Sequence, residues 1–363
     1  MRYLHFGSSV WGVCVIGAML AGCSSRGAST PSKSSLSTSQ GFADSSSVTP
    51  ELPSVRPGSR KVTPASEREH LYVITSGGNA GGGSIELFDK GANGNATPLS
   101  GISGASTGID APFSVAVDLA GNMYAANSPA DSITSYTAGS SGNASPNTDL
   151  SGGNTKLGYP TGVVVDASGN IYVANPQAGY TSITVYAAGS TGNTPPVSTI
   201  RGPHTGLKFP YGVTLDSANN IYAANNSRNS ITIYSAGTSG DATPIRKIKG
   251  SNTLLEGPFG EAVDGDGNLY VTNPSNNTIT VYAAGANGDV APLRIIGGSK
   301  TQLNLPRGVA VDSAGQIFVA NQGGASVLVF AKSANGNQAP VRVISGSNTG
   351  FDSGLVPTGV ALH

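Results

Sequence analysis

Apolar residues in this chain come in short bursts separated by turn formers. Five bursts align with one another: Phe113-Ser-Val-Ala-Val-Asp118, Thr161-Gly-Val-Val-Val-Asp166, Tyr211-Gly-Val-Thr-Leu-Asp216, Phe259-Gly-Glu-Ala-Val-Asp264 and Arg307-Gly-Val-Ala-Val-Asp312. Their aspartates stand 48, 50, 48 and 48 residues apart. After each comes a turn and a second run, as in Gly169-Asn-Ile-Tyr-Val-Ala-Asn175, and then a third, as in Ser182-Ile-Thr-Val-Tyr186. A glycine turn, a fourth run such as Pro292-Leu-Arg-Ile-Ile296 and a loop ending in proline complete the unit. Runs this short, rich in Val, Ile and Tyr and bounded by Gly, Asn and Asp, predict β-strands. Four strands per repeat of this length predict an all-β fold and the blades of a β-propeller. Runs without polar alternation, such as Val163-Val-Val165, fit strands covered on both faces by neighbouring blades.

The two ends of the repeat region choose between a ring and an open solenoid. Thr358-Gly-Val-Ala-Leu-His363 reads as a first strand with nothing after it, and His70-Leu-Tyr-Val-Ile74 as a second strand with nothing before it. Joined, they make one blade, which closes a ring and removes the open sheet edges that a solenoid would have to cap. Five whole blades plus this composite predict six blades over the 294 residues from His70 to His363, with the domain drawn at 68–363.

The phrase from Pro160 to Asn175, and again from Pro306 to Asn321, resembles the NHL repeat of six-bladed propellers. The resemblance runs from about residue 70 to the end and implies the fold. It implies no single function, because propellers of this kind include lyases, lactonases, ligand sensors and interaction scaffolds.

Composition narrows the partners. Charged residues make up 11% of the chain, with 20 basic and 20 acidic, and no block of one sign to steer nucleic acid, so none is expected as a partner. The two cysteines, Cys14 and Cys23, both precede the repeats and supply neither a disulfide framework nor a thiolate metal site there. Residues 1–22 read as a secretory leader, with Arg2 and an apolar stretch from Val10 to Leu20 that is too short to span a bilayer. Leu20-Ala-Gly-Cys23 resembles the bacterial lipobox, which implies lipidation at Cys23, a chain starting there, and anchorage to a membrane of the bacterial cell envelope. Ser24 resembles the residue that sorts such proteins to an outer membrane where the cell has one. Residues 23–67 are rich in Ser, Thr and Pro and too poor in apolar surface to fold, so a tether with a reach of roughly 35 Å is expected.

Most repeated residues have structural explanations. The aspartates closing the first strands are suited to accepting N–H bonds of the turn that follows, and Asp264-Gly-Asp-Gly-Asn268 is one of those turns rather than a calcium loop. Tyr124, Tyr172, Tyr222 and Tyr270 on second strands, and Tyr136, Tyr186, Tyr234 and Tyr282 on third strands, are expected to pack between blades. Gly104-Ala-Ser-Thr-Gly108 matches a nucleophile-elbow pattern but lies in a loop without a histidine to activate the serine. His204 is expected on one face and His70 and His363 nearer the other, so no convergent zinc site is predicted.

The site-like positions lie where inner strands begin. Phe113, Thr161, Tyr211, Phe259, Arg307 and Thr358 occupy that point in the six blades, and Asn127, Asn175, Asn225, Asn273 and Asn321 end the second strands on the same face. The asparagines suit either a ligand or local loop bonding; the first set varies as a binding mouth would. Glu261 stands where other blades have valine, and a buried carboxyl needs a partner, for which Arg307 is the expected candidate. The expectation is therefore a lipid-anchored monomer that binds a protein or glycan through this face, with no catalytic residues, metal or cofactor. The alternative resembles gluconolactonases, with an oxygen-ligated divalent cation such as calcium in the channel and Glu261 among its ligands.

Overall fold

A computed structural model describes residues 69–77, 82–351 and 354–363; the leader, Cys23 and the tether lie outside them. The described residues form six four-stranded antiparallel sheets arranged as the blades of a ring. Blade 1 is the composite, pairing Val356–Leu362 from the C-terminus with His70–Ser76, Gly83–Asp89 and Ser100–Ser103. The inner strands of blades 2 to 6 are Pro112–Val117, Gly162–Val165, Pro210–Leu215, Glu261–Val263 and Pro306–Val311. Among the described residues no helix is long and apolar enough to cross a membrane.

Both faces of each blade are apolar because each faces another blade. The core is accordingly divided into six clusters, one in each gap: Tyr72, Ile74, Ile85 and Ile102 of blade 1, for example, meet Val115, Met123, Ala125 and Tyr136 of blade 2. Third-strand tyrosines also tie blades together. Tyr136, Tyr186, Tyr234 and Tyr282 are essentially inaccessible, and each donates its hydroxyl at 2.6 Å to a threonine carbonyl in the loop leaving the preceding blade. Burial pushes the Tyr136, Tyr234 and Tyr282 hydroxyls up to about 12, so they remain donors at any physiological pH.

The ring closes twice. Near its hub, His70 and His363 exchange backbone bonds of 2.7 and 3.1 Å at the end of the composite pairing. At its rim, Gly94 bridges to Ile344 in the way that Gly142, Gly192, Gly240, Gly288 and Gly336 bridge the other gaps. The turn aspartates behave as the sequence implies: Asp264 Oδ1 accepts the N–H groups of Asp266 (3.0 Å) and Asn268 (2.8 Å), while Oδ2 accepts the Tyr270 hydroxyl at 3.1 Å.

Candidate functional site

One face of the disc, the proline face, is where inner strands start. The chain enters them through a strained step: Ala111, Tyr159, Phe209 and Leu305 have positive φ of 39°, 55°, 49° and 50°, and each immediately precedes a proline. In blades 1, 2, 4 and 6 the pairing then slips, between Pro357 and Gly359, Pro112 and Ser114, Pro210 and Gly212, and Pro306 and Val309. Such bulges re-aim a side chain. The residues beside these slips include Phe113, Tyr211, Arg307 and Thr358, and of these the three long side chains turn over the axis of the ring.

There they meet Phe259 of blade 5. The rings of Phe113 and Phe259, from opposite blades, stack with centroids 6.2 Å apart and planes 30° apart. Tyr211 lies against Phe259 at 5.0 Å, and Tyr159 against Phe113 at 6.0 Å. The Arg307 guanidinium sits 4.3 Å from the centre of the Phe259 ring and 5.8 Å from that of Phe113, within cation–π range of both. Its Nε donates to Gln322 Oε1 at 2.8 Å. The mouth on this face is therefore plugged by aromatic rings with a guanidinium laid on them. Burial pulls the Arg307 pKa below its ordinary value against a smaller opposing effect of Tyr211.

Four of the six mouth positions thus converge, and the two threonines do not. Thr161 and Thr358 are 1% exposed, and their hydroxyls donate to backbone carbonyls of the next blade, Tyr211 at 2.8 Å and Pro112 at 3.0 Å. The five asparagines are buried as well. Each side-chain oxygen accepts an N–H from the loop entering its own blade, as Asn225 does from Lys208 at 2.9 Å. Each amide nitrogen donates within the same blade, as Asn225 does to Thr232 at 3.0 Å. They fasten loops, and both ends of each amide are engaged in doing so. Tyr159 and Gln322 belong to the mouth although alignment of the inner strands did not single them out; the signal for Tyr159 was an aromatic residue just before an interblade proline.

Below the plug lies a cavity of about 300 Å³ walled by Val, Ala, Gly and Thr from all six inner strands, with Glu261 as the carboxyl group in that wall. The expected Glu261–Arg307 pair is not formed. Arg307 is level with Phe259 in the repeat, whereas Glu261 is two residues deeper, and its side chain crosses to blade 4 instead. There it fills the space beside Gly212, where a Cβ would collide with it, and Oε1 accepts the Ala224 N–H at 3.1 Å. Oε2 is buried without a partner, and the residue is 7% exposed. Burial pushes its pKa well above the usual carboxylate value, outweighing the opposing Ala224 hydrogen bond.

For a divalent cation in this cavity, Glu261 is the carboxylate that the described wall offers. Among the described residues no three His, Cys, Asp or Glu side chains cluster to hold a metal, and the asparagines that might have joined Glu261 are committed to loops. His204 is on the proline face, exposed and bonded to Asp241 at 2.6 Å, whereas His363 lies at the other end of the inner strands.

No family model and no curated protein matches the chain. Solved structures do match, at identities that establish the fold alone. A protein of unknown function from Bacteroides caccae aligns at 13% identity over 81% of this chain and 98% of its own, with a TM-score of 0.56. A chain of a nidogen/laminin complex aligns at 14% identity over 81% and 98%, TM-score 0.56. A putative 6-phosphogluconolactonase from Bacteroides fragilis aligns at 14% identity over 83% and 99%, TM-score 0.54.

Proposed function

We propose that this protein is a lipid-anchored, extracytoplasmic binding propeller, tethered to the bacterial cell envelope through Cys23 and taking a protein or glycan on its proline face without turning it over. The observation that supports this reading is the mouth cluster. A ring needs nothing beyond small apolar residues to close its channel, yet Phe113, Tyr211, Phe259 and Arg307 from four blades are brought together there, three of them partly exposed. Aromatic rings and arginine are the side chains that contribute most to recognition per residue.

The test is a ligand screen with the mature chain against glycans and envelope proteins, repeated with Phe113→Ala and Tyr211→Ala. Both variants are expected to bind roughly tenfold or more weakly while melting close to the parent. Unchanged binding by both would remove the proline face from recognition. Glu261, with its unpartnered oxygen on the cavity wall, is the observation favouring a hydrolase instead. Lactone turnover in the same preparation, accompanied by stoichiometric metal and abolished in Glu261→Gln, would replace the binding reading.

A further inference from the structure

Resting on the proline face as the ligand face, we infer that the ligand is an acidic glycan: a hexuronate carboxylate docks on the free edge of Arg307 while a neighbouring pyranose lies on the rings of Tyr159 and Phe113. Arg307 is half-buried, and among the described residues no carboxylate lies within ion-pair distance of it; Glu261 turns to Ala224 and Gly212. Removing a cation from water without an anion is unfavourable, and the Phe259 and Phe113 faces return only part of that loss. The lowered pKa of the guanidinium reflects the same burial. A bound anion supplies the missing charge.

Geometry selects the anion. The guanidinium lies over Phe259, and Nε is held by Gln322, so both ring contact and hydrogen bond fix the orientation of the group. What remains are Nη1 and Nη2, a planar pair of donors matched to the two oxygens of a carboxylate. A single cation in the cluster suits a singly charged group better than a phosphate dianion. The rest of the ligand must be a flat, partly apolar body. Tyr159 is 40% exposed, packs against Phe113, and is held by its positive φ and by its N–H bond of 2.6 Å to Asp131 Oδ1. A rigid exposed ring beside a guanidinium is suited to the C–H face of a sugar; because Asp131 is engaged by the backbone of Tyr159, it orients this ring.

The experiment titrates the mature chain with trimers of galacturonate, glucuronate and mannuronate, with the galacturonate trimer methyl ester, and with maltotriose. At least one uronate trimer should bind, and the ester should bind roughly tenfold or more weakly than its acid, since it keeps the shape and loses the charge. Arg307→Gln should weaken the acid by roughly ten- to hundredfold, Arg307→Lys by less, and Tyr159→Ala should weaken acid and ester alike. Thermal melts of each variant separate a lost contact from a lost fold, and Arg307→Lys, which keeps the charge, guards against a Gln variant that does not fold. Equal affinity for acid and ester, or unchanged binding in Arg307→Gln, would overturn the inference while leaving the ligand face standing. Binding to an envelope protein that depends on Phe113 and Tyr211, with no uronate bound, would overturn it in the same way. Binding that ignores every mouth residue would bring down both readings.

Discussion

Replacing Glu261 with glutamine should make the stability of this propeller less dependent on pH, in a calculable way. The carboxyl is 7% exposed, Oε2 has no partner, and burial pushes its pKa well above the usual value. Between the unfolded value near 4.5 and the folded value, the folded chain keeps a proton that the unfolded chain has released. More protons on the folded state means that stability falls as pH rises, by about 1.4 kcal/mol for each pH unit, and stops falling once the folded value is passed. Below the unfolded value both states are protonated and the residue contributes no slope. Glutamine has nearly the same shape, retains an oxygen for the Ala224 N–H and cannot titrate. The stability difference between the variant and the parent should therefore move in the variant's favour as pH rises from 5, by at most about 1.4 kcal/mol for each pH unit, until the folded value is passed. Glu86, also raised by burial against a hydrogen bond from Ser84, is common to both chains and cancels. Asp118, Asp166, Asp216 and Asp264 are held low by turn hydrogen bonds that outweigh burial, so their contribution is lost only as pH falls below about 3.8. Urea unfolding of both chains at pH 5, 6 and 7, followed by circular dichroism, reads the difference directly. An offset that stays constant across the three pH values would mean that Glu261 titrates normally in the folded chain, and the account of a buried, unpartnered carboxyl would be refuted.

Deleting Thr358 to His363 strips the inner strand from blade 1 and removes the buried Val360 and the packed Leu362; at about 1.5–3 kcal/mol each the loss should be several kcal/mol, and a melting temperature within two degrees of the parent would contradict closure by this strand. Glu261→Gln and Arg307→Met should be additive in a double-variant cycle at pH 7, because the two side chains have separate partners; a coupling above about 0.5 kcal/mol would show that they communicate. Cys23→Ser should yield a chain that neither incorporates labelled fatty acid nor partitions into detergent, and unchanged labelling would remove the lipid anchor from the proposed function.

The sequence alone determined the architecture, because the forces that build it are repeated and local. Each blade has to bury two apolar faces, turn at a glycine or asparagine and enter through a proline, and these demands recur at the same spacing from Pro112 to Ile344. Even closure was legible, since an unpaired first strand at one end and an unpaired second strand at the other have one economical solution. What the tertiary structure decided is where single side chains point. Six residues in equivalent positions of the repeat look alike on paper, yet the long side chains of Phe113, Tyr211, Phe259 and Arg307 meet over the axis, while Thr161 and Thr358, the latter at the same kind of bulge, reach sideways to a neighbouring backbone. Glu261 and Arg307 are opposite charges in adjacent repeats and still miss each other. A two-residue difference in depth along a strand is some 7 Å, and Gly212 opens a space in the other direction. Periodicity fixes which residues share a layer; the space left by neighbouring blades decides which of them touch.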